Sequence, residues 1–241
     1  MRLGGLIFVL LCVPQLVLAD VSDEKLWQHR NLGKAFYENA ATQYEAVGEF
    51  KAALDLAPDS ARERVNYGLA LLRAGQEDKG IVELEKAQQQ DATIPHTWFN
   101  LGIAYKRKSL YNKAIVQLEG FLGLVPVEPV AHYNLGVLYK LEKKNELAVS
   151  HFEDAARLDQ NLAGPHFQLA TAYRQAKKMT ESKLAMATFR RIKAEQAGSM
   201  VPEDLEWSFY SEIYETIDPQ NAQTTAPPIP FNFAIRSLAS G

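Results

Sequence analysis

Four side-chain amides recur at one spacing along the chain. Asn66, Asn100, Asn134 and Gln168 each lie 34 residues from the next. An amide group offers both a hydrogen-bond donor and an acceptor, so a row of amides can hold the backbone of an extended peptide without reading its side chains. The spacing therefore points to binding chemistry.

Catalytic chemistry has no comparable pattern. None of the histidines forms a metal-type pair on one helix face, and His132 and His166 share a repeat position with Trp98, which favours a packing role. Glycine-rich phosphate loops, a nucleophile elbow and an oxygen-ligand calcium loop are absent from the sequence. The case for an enzyme rests only on carboxylates and histidines that have no assigned role. We therefore expect no catalytic activity, no bound metal and no cofactor. The five histidines are His29, His96, His132, His151 and His166.

The composition is that of a globular chain. Hydrophobic residues make up 47% of the 241 residues, which is enough to bury a sizeable core. The formal net charge of −3 gives no reason to expect a nucleic-acid partner.

The first nineteen residues are typical of an export signal. Arg2 precedes an apolar run over 6–18 that ends in Val17-Leu18-Ala19, with the small last residue that signal peptidase requires. We predict a signal peptide over 1–19, a periplasmic or secreted mature chain, and no membrane span after cleavage. An uncleaved anchor is the alternative, but this run contains Pro14 and is shorter than the about 20 residues that a span needs. The only cysteine, Cys12, lies inside the run and follows Leu11, which disfavours a lipid anchor and leaves the mature chain without thiol chemistry.

Small residues repeat with the same 34-residue period. A small residue inside a helix allows a second helix to approach closely, and glycine there costs about 1 kcal/mol against alanine, so the register indicates a packing requirement. The first set is Gly68, Gly102, Gly136 and Ala170, and the second set, twelve residues later, is Gly80, Ala114, Ala148 and Ser182. Bulky residues follow at Leu84, Leu118, Phe152 and Met186.

This pattern resembles the tetratricopeptide repeat, a 34-residue pair of antiparallel helices. The third unit is the most similar, although Phe121 replaces a usual small residue; it carries Trp98, Leu101, Gly102, Tyr105, Ala114 and Pro126 at the family's positions. The resemblance implies an all-α, right-handed superhelix of about five helical hairpins over 20–196, the first of them atypical. The predicted repeats are about 27–60, 61–94, 95–128, 129–162 and 163–196.

The repeat period stops after Gln196. Pro202-Glu203-Asp204 is typical of a helix start, and the following apolar residues, from Leu205 to Tyr214, need a surface to cover. We predict a capping helix over 197–218, the alternative being a docking helix for a second domain. The polar, proline-rich residues of 219–241 predict a flexible tail or linker.

The resemblance also places the amide row on the inner, concave wall of the superhelix. The superhelix of O-GlcNAc transferase resembles it in having an inner asparagine ladder, but no transferase domain is present here. Aromatic and basic residues share this helix face, and together they predict a groove for an extended protein or peptide of acidic character. The alternative is that the asparagines only tie helices together and that the basic residues are a solvated face. The flanking residues are Phe99, Tyr133, Phe167, Lys106, Arg107, Lys140 and Arg174.

Three further stretches look like the N-terminal part of exported bacterial proteins in which tetratricopeptide repeats precede an FG-GAP (VCBS-type) propeller and an ASPIC/UnbV segment. They are residues 29–37, 95–100 and 202–207. This resemblance implies a second hypothesis, in which the repeats present a downstream propeller or catalytic domain. The first hypothesis remains a peptide-binding or assembly scaffold.

Overall fold

The computed structural model describes residues 21–197 and 204–215, and in these residues all regular structure is helical. Ten α-helices form five consecutive hairpins, which confirms the predicted all-α repeat fold. The helices are α1 (Val21–Glu38), α2 (Gln43–Leu56), α3 (Ala61–Arg73), α4 (Glu77–Gln90), α5 (Pro95–Arg107), α6 (Tyr111–Leu124), α7 (Pro129–Leu141), α8 (Asn145–Leu158), α9 (Ala163–Gln175) and α10 (Met179–Glu195).

Each helix packs mainly on its neighbours in the chain. The strongest contacts lie within the hairpins, and weaker ones join α2 to α3, α4 to α5, α6 to α7 and α8 to α9. This is the nearest-neighbour arrangement of a solenoid. The first helices α3, α5, α7 and α9 therefore stand side by side and form one wall.

The small residues of the first helices lie where two helices come closest. A Cβ added at Gly68 would be 2.8 Å from Leu84, and one added at Gly102 would be 2.7 Å from Leu118. At Gly136 the same atom would meet Phe152 at 2.7 Å. The bulky residue of each second helix thus fills the space that glycine leaves, which confirms the packing role predicted for the repeat.

The turn inside each of the last four hairpins uses a left-handed backbone at a repeated position. Gly75 has a φ of 73°, and Ser109, Lys143 and Lys177 have φ values of 58°, 61° and 60°. These residues follow the ends of α3, α5, α7 and α9 and reverse the chain into the next helix. Only the first of the four is glycine, so the later hairpins accept a less favourable residue there.

The predicted capping helix is not formed by the described residues of its span. Helix α10 ends at Glu195, and residues 204–215 contain only one turn of 3-10 helix, Phe209–Ser211. An α-helix would bond its backbone groups to one another, whereas here several of them bond to side chains of α3, α5 and α7. We call residues 204–215 the return segment.

Two further sequence predictions lie outside the described residues. These are the signal peptide over 1–19 and the tail over 219–241. Within the described part of the chain, no helix is long and apolar enough to cross a membrane.

Candidate peptide-binding groove

Three members of the amide row hold the backbone of the return segment. Asn66 is bonded in both directions to Tyr214, donating to its carbonyl at 3.1 Å and accepting from its N–H at 2.8 Å. The other two amides each donate to one carbonyl at 2.6 Å, Asn100 to Tyr210 and Asn134 to Leu205. In the described residues these three amides therefore hydrogen-bond the backbone of a segment of the same chain.

All three asparagines are buried, and Asn100 and Asn134 are also held by bonds to their own helices. Asn100 Nδ2 also donates to the carbonyl of His96 at 2.8 Å, and Asn134 Nδ2 donates to that of Val130 at 2.8 Å. Both bonds reach back four residues and set the side-chain orientation before any peptide is added. Lys106 donates to Asn134 Oδ1, which occupies the acceptor end of that amide.

The return segment runs from the fourth and fifth hairpins toward the first. Leu205 packs where a Cβ on Gly164 of α9 would lie, 2.8 Å away, while Lys34 of α1 pairs with Glu215 at 3.0 Å. Between these ends, Tyr37 of α1 donates its hydroxyl to the carbonyl of Ser211 at 2.7 Å. The segment therefore crosses the first helices in the reverse of their order in the chain.

Two of the predicted basic residues bind a carboxylate of the segment. Lys106 Nζ lies 2.6 Å from one oxygen of Glu206, and Arg107 Nε lies 2.8 Å from the other. Burial acts to raise the pKa of Glu206, but the hydrogen bonds and charges of the two cations outweigh it and hold the pKa below its usual range. This edge of the groove accepts an acidic side chain.

The predicted aromatic residues do not line the groove as one set. Phe99 is fully buried and packs on Phe121 with ring centroids 5.3 Å apart, and it is Phe121 that reaches Tyr210 at 5.0 Å. Tyr133 is partly buried, its ring 5.9 Å from that of Phe152. Phe121, which replaces the usual small residue of the repeat, therefore makes the contact with the return segment that was expected of Phe99.

His96 is a groove residue that the sequence analysis did not single out. Its ring lies 5.3 Å from Tyr210 and 4.9 Å from Tyr214, and burial lowers its pKa to about 4. It lies one helical turn before Asn100, and residues four apart share a helix face. That spacing was the signal in the sequence that could have identified it.

In the fifth hairpin, the described return segment does not hydrogen-bond the amide of Gln168. Gln168 accepts a hydrogen bond from Lys140 at 2.9 Å, and it is partly exposed. Arg174 is exposed, and Phe167, with 45% of its surface accessible, touches Phe189. Beside them lies an open cavity of about 550 Å³ lined by Lys140, Phe152, Gln168, Thr171, Tyr173 and Lys178 among others.

Among the described residues, one cluster has the composition of a metal site. It consists of His132 on α7 with His151 and Asp154 on α8. It involves the second helix of a hairpin, whereas the amide row lies on first helices only.

Comparison with known proteins agrees with this architecture. Residues 129–162 match the family model of the tetratricopeptide repeat. No curated protein sequence matches the chain.

Solved structures share the fold at low sequence identity. A structure titled MamA 41-end from Desulfovibrio magneticus RS-1 is 17% identical, covers 74% of this chain and 98% of its own, and has a TM-score of 0.62. A MamA RS-1 ArsTM double mutant is 16% identical with a TM-score of 0.66, over 73% of this chain and 98% of its own. A Pseudomonas aeruginosa structure titled for pilF is 20% identical over 70% of this chain and 77% of its own, with a TM-score of 0.62. The chain therefore has the fold of a tetratricopeptide-repeat solenoid.

Proposed function

We propose that this protein is a non-catalytic protein-interaction scaffold that binds an extended polypeptide along its amide row. The observation that carries the proposal is the set of hydrogen bonds from Asn66, Asn100 and Asn134 to the backbone of the return segment, which is not α-helical. Such bonds recognise a backbone and are indifferent to most side chains. An external strand of similar shape can therefore make them in place of the return segment.

The charges of the groove set the character of that partner. Lys106 and Arg107 bind Glu206 of the return segment, and Lys34 binds Glu215. An external peptide that takes the same path meets the same cations. The partner segment is thus expected to be extended, to carry acidic residues, and to offer aromatic side chains to His96 and Phe121.

The return segment acts in this proposal as a built-in competitor. It belongs to the same chain as the groove that it occupies, so its effective concentration there is high, on the order of millimolar for partners joined by a short linker. An external peptide must displace it or bind where it is absent. The exposed part of the row around Gln168 offers a first contact for such a peptide.

The test uses a groove opened by substitutions in the segment. A full chain with Leu205→Ala and Tyr210→Ala is titrated against a fluorescent peptide with the sequence of residues 204–215, and binding is followed by anisotropy. We expect the opened chain to bind at least tenfold more tightly than the unchanged chain. Adding Asn100→Ala and Asn134→Ala to the opened chain should abolish binding, whereas adding Gln168→Ala should change it little. Equal binding with and without the two asparagines would refute the proposal.

The site of action follows from the predicted signal peptide over 1–19. We propose that the mature chain begins at Asp20 and works in the periplasm or outside the cell. N-terminal sequencing of the protein purified from the envelope and from the medium tests this. A chain that retains Met1 in the cytoplasmic fraction would contradict it.

A second candidate function is the presentation of a downstream domain. The return segment ends beside α1, where Lys34 contacts Glu215, so a linker that follows it would start at the first hairpin. The segment would then be a clamp that fixes the position of that linker. In that case the opened chain should bind no peptide, and the asparagine substitutions should only loosen the segment.

A further inference from the structure

A cluster of two imidazoles and one carboxylate joins the two helices of the fourth hairpin. The Nδ1 atoms of His132 and His151 lie 3.0 Å apart, and Asp154 Oδ2 lies 3.9 Å from His132 Nδ1. One ligand atom from each of the three residues falls within 4.8 Å of the others. His151 and Asp154 are three residues apart on α8 and so share one face of that helix.

Neighbouring groups fix the orientation of two of these three side chains, those of His132 and Asp154. His132 Nε2 lies 3.2 Å from the carbonyl of Pro126, which can only accept, so this nitrogen carries the proton and Nδ1 keeps its lone pair. Arg157 donates to Asp154 Oδ1 at 2.7 Å and leaves Oδ2 turned toward His132. Contacts of this kind, from the far nitrogen of a histidine and the second oxygen of a carboxylate, accompany metal ligands in proteins.

The equivalent positions of the second hairpin show what a purely structural pair looks like. Arg64 and Glu83, each 68 residues before His132 and His151, form a complementary ion pair at 2.8 Å. Two imidazoles cannot complement one another in that way, since they share at most one hydrogen bond. The histidine pair is accompanied by Asp154, whereas Lys86 occupies the corresponding position in the second hairpin.

We propose that His132, His151 and Asp154 bind one divalent transition-metal ion, with Zn²⁺ preferred, and so cross-link α7 to α8. Zinc binds histidine nitrogen and carboxylate oxygen at about 2.0–2.2 Å, and two nitrogens 3.0 Å apart can both lie at that distance from one ion. Asp154 reaches the ion by a small side-chain rotation, and water fills the remaining position. Imidazole and carboxylate ligands favour zinc and similar metals over Ca²⁺.

The test titrates the full chain, free of any histidine tag, with Zn²⁺ in competition with a chromophoric chelator. We expect one equivalent of tight binding in the unchanged protein. His151→Gln should weaken it at least a hundredfold, and Asp154→Asn, which keeps both rings, about tenfold. His29→Gln is the matched control, because His29 also contacts a carboxylate, Glu49, but lies 2.6 Å from it without a second histidine; this variant should bind like the unchanged protein.

The absorption spectrum of bound Co²⁺ reports which residues are its ligands. Co²⁺ bound at the site should show visible absorption bands that shift in Asp154→Asn and disappear in His151→Gln, while circular dichroism shows unchanged helicity. Binding that survives both substitutions, or that His29→Gln removes, would overturn the assignment. The absence of stoichiometric binding in the unchanged chain would overturn it as well.

Discussion

The third and fifth hairpins carry the same repeat position in two different states. On α5, Asn100 is buried and bonded to the backbone of Tyr210, whereas on α9 Gln168 is partly exposed and bonded only to the side chain of Lys140 among the described residues. Asn100 and Gln168 occupy the same repeat position, and both side chains end in an amide. The difference lies in whether the return segment covers the position, so within the described residues the amide bonds a backbone only where that segment passes.

The surroundings of the two amides differ in a related way. Around Asn100 the cations Lys106 and Arg107 are paired with Glu206, and His96 lies under aromatic rings. Around Gln168 the cation Arg174 is exposed. The occupied part of the groove is thus paired and covered by the return segment, whereas the part around Gln168 is open to solvent.

Removal of two buried amides should give the largest effect. Asn100→Ala with Asn134→Ala leaves the carbonyls of Tyr210 and Leu205 without their donors, and an unsatisfied buried group costs about 1–3 kcal/mol. We expect a loss of about 2–5 kcal/mol in the free energy of holding the segment. Hydrogen exchange of residues 204–215 measures it, and a large rise in exchange there with little change in α3 or α4 is the expected pattern.

The matched control for that experiment is in the fifth hairpin. Gln168→Ala with Lys140→Ala removes an amide and a cation at the equivalent positions, but their hydrogen bond is exposed. Such a bond contributes below about 1 kcal/mol. If this pair of substitutions loosened the segment as much as the asparagine pair, the distinction between the two regions would fail.

Protonation of His96 should give the next effect. Burial lowers the pKa of this ring from its ordinary value of 6.5 to about 4 in the fold, so the unfolded or undocked state binds the proton more tightly. Stability is therefore full above about pH 6.5 and declines as the pH falls toward 4. The total loss is about 3 kcal/mol.

Urea unfolding between pH 7 and pH 4 measures this dependence. His96→Gln should reduce the pH dependence of the free energy of unfolding between pH 7 and pH 4, even though the variant is less stable at pH 7. Equal slopes in the two proteins would show that the ring is not held neutral by the aromatic residues of the segment.

A methyl group added at the junction of the two regions should have a smaller effect. In Gly164→Ala the new Cβ would lie 2.8 Å from a methyl carbon of Leu205 and 3.0 Å from the ring of Tyr133. Overpacking costs typically about 1–3 kcal/mol, and the gain of up to about 1 kcal/mol in helix propensity offsets part of it. We expect a net loss of about 1 kcal/mol, seen as a lower thermal midpoint and faster exchange at Leu205.

Gly48→Ala is the comparison for that substitution. Gly48 lies within α2, is exposed, and has no atom within 4 Å of the added Cβ. It should stabilise the chain by up to about 1 kcal/mol. A loss in both variants would indicate a general intolerance of alanine and not a contact with the segment.

The smallest effect is expected from the ion pair at the groove edge. Glu206→Gln keeps the size of the side chain but removes its charge beside Lys106 and Arg107. Since the carboxylate is about one-third exposed, the loss should be below about 1 kcal/mol and should shrink in about 1 M salt. Chemical denaturation at low and high salt tests it, and a salt-independent loss would assign the contact to packing.

Much of the fold could be predicted because its cause is periodic. Gly68, Gly102 and Gly136 reflect a local requirement for close helix approach, and such a requirement is visible in any repeat sequence. The amide row could be predicted for the same reason. The capping helix could not, because Pro202, Glu203 and Asp204 are local helix signals, whereas the path of the residues after them is decided by distant side chains.

The sequence by itself determined the hairpins, the period and the type of groups along the inner wall, since each depends on neighbours at fixed spacing in the chain. Only the tertiary structure decided what those groups contact. Asn66 and Tyr214 are 148 residues apart, and His132 meets His151 across two helices. Contacts of this kind depend on how successive hairpins are placed, and that placement arises from the packing of the whole solenoid.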